Sequence, residues 1–210
     1  MAKTRKKAYH HGDLRQALIE AAIPVLQQKG AVGLSLRELA IELGVSHGAP
    51  YRHFQNKSEL LEAIAATGFR KLSDACQQAM HDFPDDPQRQ LYEAGWAYIQ
   101  YVSRHKEVAN LMFGGVMSQD KSGAELQQAA DQAIGGLIAI MENGKQAGLY
   151  GNRDTMDLVI TSLSTVHGLS MFVSAGMLGG ELSDVHALKA ISTRVYEIMM
   201  HGLLHQKKEI

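Results

Sequence analysis

The stretch Leu34-Ser35-Leu36-Arg37-Glu38-Leu39-Ala40-Ile41-Glu42-Leu43-Gly44-Val45-Ser46-His47-Gly48-Ala49-Pro50-Tyr51-Arg52-His53-Phe54 reads as two short helices about a tight turn. Leu36, Leu39, Ala40 and Leu43 recur at helical spacing and give one apolar face. Ser35 and Glu38 have capping-box spacing, in which each side chain satisfies an exposed backbone N–H at the helix start. Gly44 is a stop, because glycine enters the left-handed region at no steric cost. Ser46 is placed to cap a further helix reaching about Phe54, with Pro50 in its first turn, where a missing donor costs least. This is the layout of a helix-turn-helix: one helix braces on the DNA backbone and the next enters the major groove.

The same period extends outward. Leu14, Ala17, Leu18, Ala21, Ala22, Val25 and Leu26 predict a first helix over Asp13–Lys29, stopped by Gly30 and kinked at Pro24. Asn56 and Glu59 repeat the cap spacing before a long helix from Lys57 to about His81. Pro84, Pro87 and three aspartates between 81 and 87 break that helix. Further helices are expected near 88–105, 107–113, 123–147, 155–177 and 184–205. No alternating strand pattern appears, so the fold class is all-α. The organisation is a basic arm (1–12), a three-helix helix-turn-helix domain (13–56), a connecting helix (57–81) and a larger helical domain (82–210).

Composition narrows the function classes. The 210 residues are 45% hydrophobic and 20% charged, which excludes a disordered chain. Apolar runs fall far short of the ~20 residues of a membrane helix. No export leader opens the sequence, so a cytoplasmic protein with no membrane partner is expected. The single cysteine, Cys76, excludes an internal disulfide and cysteine-rich zinc sites. The net charge of -1 hides an asymmetry. Residues 1–60 carry nine Lys/Arg against five acids, with Lys3, Arg5, Lys6 and Lys7 crowded into one arm. Attached to a basic domain, Lys6 and Lys7 read as phosphate-seeking groups.

The run from Leu34 through Phe54, continued by Gln55-Asn56-Lys57-Ser58-Glu59-Leu60-Leu61, resembles the TetR family of transcriptional regulators. The likeness covers about residues 9–65, beginning at Tyr9-His10-His11-Gly12-Asp13-Leu14-Arg15. It implies that His47, Gly48 and Ala49 open the recognition helix, with Gly48 and Ala49 small enough to approach base edges. Tyr51 and His53 resemble the family's phosphate contacts, and Lys57 its backbone-gripping lysine. Arg37 and Arg52 fall where an arginine fork would reach guanine or phosphate. Ser35 and Ser46, besides capping, would aim N–H groups at phosphate. Pro50 departs from the commoner aliphatic residue at its position, which bears on the tilt of the recognition helix.

The resemblance also implies that the larger domain binds a small effector and forms a homodimer. Leu158, Ser162, Val166, Leu169 and Val173 form one stripe, and Leu188, Ile191, Val195, Ile198 and Gly202 another. Two such helices from each subunit would make a four-helix interface, the alternative being intramolecular core. Tyr92, Trp96, Ile99, Met112, Phe113, Met117 and Met141 are large or adaptable apolar candidates for a pocket admitting a small apolar or aromatic effector. His105 and His167 are candidates for its polar contact. No cofactor is expected. His201 and His205 share a helix face, but without a nearby acid cluster they read as a solvated helix end rather than a metal site. No phosphate loop, nucleophile elbow or redox cysteine pair is present, so no enzymatic role is expected. The expected function is a repressor released from a near-palindromic operator by a small effector. The rivals are a regulator answering to a protein partner, an activator, and a helical enzyme reusing the scaffold.

Overall fold

A computed structural model describes residues 13–114, 123–179 and 184–203. They form α1 (Leu14–Lys29), α2 (Leu36–Leu43), a 3-10 turn (Pro50–Arg52), α3 (Lys57–Asp82), α4 (Pro87–Arg104), α5 (Lys106–Phe113), α6 (Ala124–Gln146), α7 (Thr155–Ser174) and α8 (Val185–Leu203). No strand occurs among the described residues. All expected helices but the third are present within a turn of their expected ends.

The punctuation has local causes. Asp13 Oδ1 accepts from the Gln16 N–H at 2.9 Å and starts α1. α1 then runs through Pro24, which is exposed. At α3, Asn56 Oδ1 accepts from the Glu59 N–H at 3.1 Å while Glu59 Oε2 accepts from the Gln55 N–H at 2.7 Å, a reciprocal pair that satisfies two donors. Ser35, by contrast, makes no side-chain cap bond. Gly44 stands at φ 70°, and the Val45 N–H reaches the Ala40 carbonyl at 2.9 Å. This left-handed stop closes α2 and turns the chain toward Ser46.

The third helix differs from expectation. It is a single 3-10 turn, and its cause is Pro50. An α-helical ladder would need a Pro50 N–H to reach the Ser46 carbonyl, and proline has none. The Ser46 carbonyl instead accepts from the Ala49 N–H at 2.9 Å, and the Arg52 N–H follows onto Ala49 at 3.2 Å. Only at Phe54 does a four-residue bond to Pro50 appear, at 3.0 Å.

α3 is the axis of the molecule. It packs on α4, α5 and α6, and its head end meets α1. One continuous core joins Leu18, Leu26, Leu39 and Phe54 of the head to Leu60, Ile64 and Phe69 of α3, and then to Tyr98, Met112 and Leu126 of the body. A second cluster gathers Cys76, Ile140, Met141, Tyr150, Leu158 and Met200, and a third gathers Ile99, Leu169 and Leu188. α7 is the one described helix long and apolar enough in composition to span a membrane. It packs against α4, α6 and α8.

Two expectations are corrected by this packing. Leu158, Ser162, Leu169 and Leu188 are buried within the protomer. Val166, Val173, Ile191 and Val195 are half-buried against the third cluster. Of the expected interface stripes, Ile198 and Gly202 alone are exposed. Met112 and Met141 are fully enclosed core side chains.

Candidate nucleic-acid interface and internal cavity

The 3-10 turn is held from beneath. Pro50 and Phe54 are buried in the head and Ala49 is half-buried. Arg37, Ser46, His47, Gly48, Arg52 and His53 are exposed, and Tyr51 keeps 46% of its surface open to solvent. A large aromatic left so open, beside basic side chains and a glycine, suits contact with phosphate and base edges. Ser35 is half-buried. Lys57 Nζ donates to the Val32 carbonyl at 3.1 Å, which pins the loop before α2 and leaves the ammonium two donors. Lys6 and Lys7 lie outside the described residues.

One residue at the head escaped the sequence reading. The Arg15 guanidinium stands 5.3 Å from the Phe54 ring centroid and pairs with Glu125 of α6. Arg70 of α3 bonds the same carboxylate at 3.1 Å. Glu62 Oε2 accepts from the Gly123 N–H at 2.8 Å and so finishes the start of α6. A cleft between head and α6, about 330 Å³, is lined by Arg15, Phe54, Glu62 and Glu125 and by His53 and Glu59. No pattern in the sequence links Arg15 to a residue 110 positions away.

The body holds two apolar cavities. The first, about 80 Å³, lies between α3, α4, α5, α6 and α7 and is walled by Phe69, Tyr98, Phe113, Leu137, Ser162 and Val166 among others. The second, about 30 Å³, lies between α4, α7 and α8 and is walled by Tyr92, Trp96, Ile99 and Val195. Leu91, Gly95, Ser162 and Val166 face both. Of the expected pocket residues, Phe113 belongs to the first and Tyr92, Trp96 and Ile99 to the second. Met112 and Met141 belong to neither, and Met117 lies outside the described residues.

The two candidate histidines sit differently. His167 Nδ1 is 2.8 Å from the Tyr98 hydroxyl, and its ring meets Phe113 at 4.8 Å between centroids. Burial raises the Tyr98 hydroxyl and lowers the His167 ring, so a neutral hydroxyl and a neutral imidazole pair behind the cavity wall at Tyr98. His105 ends α4, where its Nδ1 meets the Gln27 amide nitrogen at 2.9 Å. That bond ties α1 to the α4–α5 corner, away from both cavities. His201 Nδ1 bonds the Glu197 carbonyl at 2.7 Å, and His205 lies outside the described residues. No metal-holding cluster of His, Cys, Asp or Glu occurs among the described residues. Ser162 is the wall residue that the spacing argument misplaced. Its hydroxyl is buried without a partner.

Residues 18–64 match the family model of bacterial regulatory proteins, tetR family, and residues 91–205 match that of the tetracyclin repressor-like C-terminal domain. The chain is 32% identical over 91 residues to the HTH-type transcriptional regulator AcrR of Shigella flexneri, covering 43% of this chain and 41% of that protein. It spans less than half the length of the first curated relatives it matches. A longer match, 26% identical over 153 residues, covers 70% of this chain and 69% of a probable acrEF/envCD operon repressor of Escherichia coli strain K12. Among solved structures, a protein of unknown function from Rhodococcus sp. RHA1 superposes with a TM-score of 0.82 at 29% identity, over 95% of this chain and 100% of that one.

Proposed function

The chain belongs to the TetR family of bacterial regulatory proteins, and from that premise we propose that it is a sequence-specific DNA-binding repressor of transcription, acting in the cytoplasm. The observation that carries this reading is the exposed row of His47, Gly48, Tyr51, Arg52 and His53 on a turn whose Pro50 and Phe54 are sunk in the core. Arg37, Ser35, Ser46, Ala49 and Lys57 complete the surface, with Lys6 and Lys7 as arm contacts. Two heads of a homodimer enter successive major grooves of a near-palindromic operator. The repressor sign rests on the names of relatives such as the acrEF/envCD operon repressor.

A small apolar or aromatic effector occupies the body cavity. α3 and α6 both wall that cavity, and both reach the head, α3 by continuity and α6 through Glu125 and Arg15. An effector that fits one spacing of the two heads better than the other shifts the population between them. The cavity favours this over control by a protein partner, for which a filled body would serve equally well.

Selection of bound duplexes from a random pool near physiological salt tests the reading. Enrichment of a two-fold symmetric sequence is the expected result. Recovery of no preference by the purified dimer, with or without effector candidates, would overturn it. An operator whose occupation raises transcription in a reporter would turn the repressor into an activator.

A further inference from the structure

The effector cavity has an unusual wall. The residues lining it carry no charge, and their polar atoms are few: the Cys76 thiol, the Tyr98 hydroxyl and the Ser162 hydroxyl. Burial pushes the Cys76 thiol up to about 11, so it stays a neutral, weak donor. The Tyr98 hydroxyl is already committed to His167. Ser162 is 3% exposed, and its hydroxyl has no partner.

The Ser103 and Tyr150 hydroxyls are also buried without a partner, but Ser162 alone of the three lines the two apolar cavities. Thr165, Ser170 and Ser174 on α7, and Ser192 and Thr193 on α8, each donate to the carbonyl four residues back, at 2.7–2.9 Å. Ser162 has the Leu158 carbonyl in the same relation and does not use it. A buried hydroxyl without a partner is costly, roughly 1–3 kcal/mol, and calls for an explanation. Ser162 is also one of the four residues facing both cavities. The mouth of the first lies at Phe113 and Ile134, which line it and are each 38% exposed.

Resting on the regulator reading above, we propose that the effector is an uncharged, narrow apolar molecule bearing one neutral oxygen function, a ketone or hydroxyl, that pairs with the Ser162 hydroxyl. Its apolar tail runs toward Phe113 and Ile134. A carboxylate or ammonium at the same depth meets no counter-charge on the wall and keeps its full desolvation cost. The cavities are small, about 80 and 30 Å³, so a thin chain with its tail at the mouth fits better than a fused ring system.

The test is calorimetry on the full-length protein without DNA, using methyl butyl ketone, hexane and hexanoate as probes. The ketone is expected to bind wild type more tightly than hexanoate does, and to bind it about three- to tenfold more tightly than it binds Ser162→Ala. In that variant hexane binds as before, and the ligand-free protein is at least as stable as wild type. A structural role for the hydroxyl would instead lower stability in that variant. Gly95 faces both cavities, so Gly95→Leu is expected to weaken ketone and hexane alike by filling their junction. Unchanged ketone binding in Ser162→Ala, tighter binding of hexanoate than of the ketone, or a parallel loss of ketone and hexane in that variant overturns the proposal. Because no DNA is present, that failure is separate from failure of the regulator reading, which is read from operator selection.

Discussion

Arg15 on α1 and Glu125 on α6 form an ion pair across the boundary between head and body, while Arg70 on α3 holds the other oxygen of the same carboxylate at 3.1 Å. One carboxylate thus joins the head to two helices that wall the cavity. The Arg15 side chain is 35% exposed and that of Glu125 43% exposed, so water screens the pair. A double-mutant cycle of Arg15→Gln and Glu125→Gln in urea unfolding is expected to give a coupling below about 1 kcal/mol. Operator release by effector is expected to weaken in both variants while operator affinity without effector changes little. A coupling well above that bound, or an unchanged release curve, would count against its role as a connector.

The parts of this arrangement differ in how far the sequence exposes them. The helices were legible because apolar spacing and stops such as Gly44 are local. The reduced third helix was half legible: Pro50 was visible, but whether its missing donor ends a helix or only opens one depends on which carbonyl is left over. The α7 stripe was misplaced for a different reason. α7 is apolar on two faces, and spacing alone does not say which one turns inward; Leu158, Ser162 and Leu169 face in, while Met156, Ile160 and Phe172 face out. Arg15–Glu125 and the unpartnered Ser162 hydroxyl depend on long-range packing, which no window of sequence contains.

The exposed face of the 3-10 turn carries its own prediction. Tyr51→Ala is expected to change unfolding free energy by less than about 0.5 kcal/mol, because an exposed side chain has little packing to lose. Operator affinity should fall about tenfold, roughly the 1–3 kcal/mol of a good specific contact. Lys57→Ala should weaken binding to all sequences and reduce the salt slope by about 1. Fluorescence anisotropy over a salt series reads both, and unchanged binding in the double variant would remove these two residues from the DNA face.

Gly144 and Tyr150 form a tight contact in the second cluster. A Cβ on Gly144 would stand 2.2 Å from the Tyr150 ring, and that ring is fully buried and rigid. Gly144→Ala is expected to destabilise by about 1–3 kcal/mol through overpacking, despite alanine's better helix propensity. The Tyr150 hydroxyl has no hydrogen-bond partner, and burial pushes it up to about 12. Tyr150→Phe should therefore leave stability unchanged or raise it. Chemical denaturation of the two variants checks both signs at once.

His105 and His167 give stability a dependence on pH. Both rings lie below the ordinary histidine value of 6.5, His105 through burial and then the nearby Arg104 charge, His167 through burial. Each takes up a proton less readily folded than unfolded. Their contribution is complete above pH 6.5 and is lost as pH falls from there through the lowered folded values. Protonation also removes the His105 Nδ1 lone pair that faces the Gln27 amide nitrogen. Urea unfolding between about pH 7.5 and pH 5 is expected to show this decline, flattened in the His105→Gln, His167→Gln double variant. Asp82 is also held below its ordinary value, by hydrogen bonds from Gln78 and His81, but it titrates below this window.

The outward face of α7 and α8 predicts where a second copy docks. Met156, Ile160 and Phe172 are exposed at multiples of four residues, with exposed Ser164 and half-buried Gly168 in the steps between them. At 3.6 residues per turn this row winds about 160° around α7 from Met156 to Phe172, with small residues at its centre, where a second helix could cross closely. On α8, Ile198 is 74% exposed and Gly202 follows one turn later. Isolated exposed apolar side chains are ordinary, but a strip of them along adjacent packed helices marks a contact surface. Ile160→Glu with Ile198→Glu is expected to convert a dimer to a monomer in sedimentation equilibrium, with the helical signal retained. Leu188→Ala, in the interior of the same helix, should cost about 2–5 kcal/mol of stability without a specific effect on assembly. Retention of the dimer in the double glutamate variant would move the interface off this face, and operator binding by a stable monomer would remove the need for paired heads.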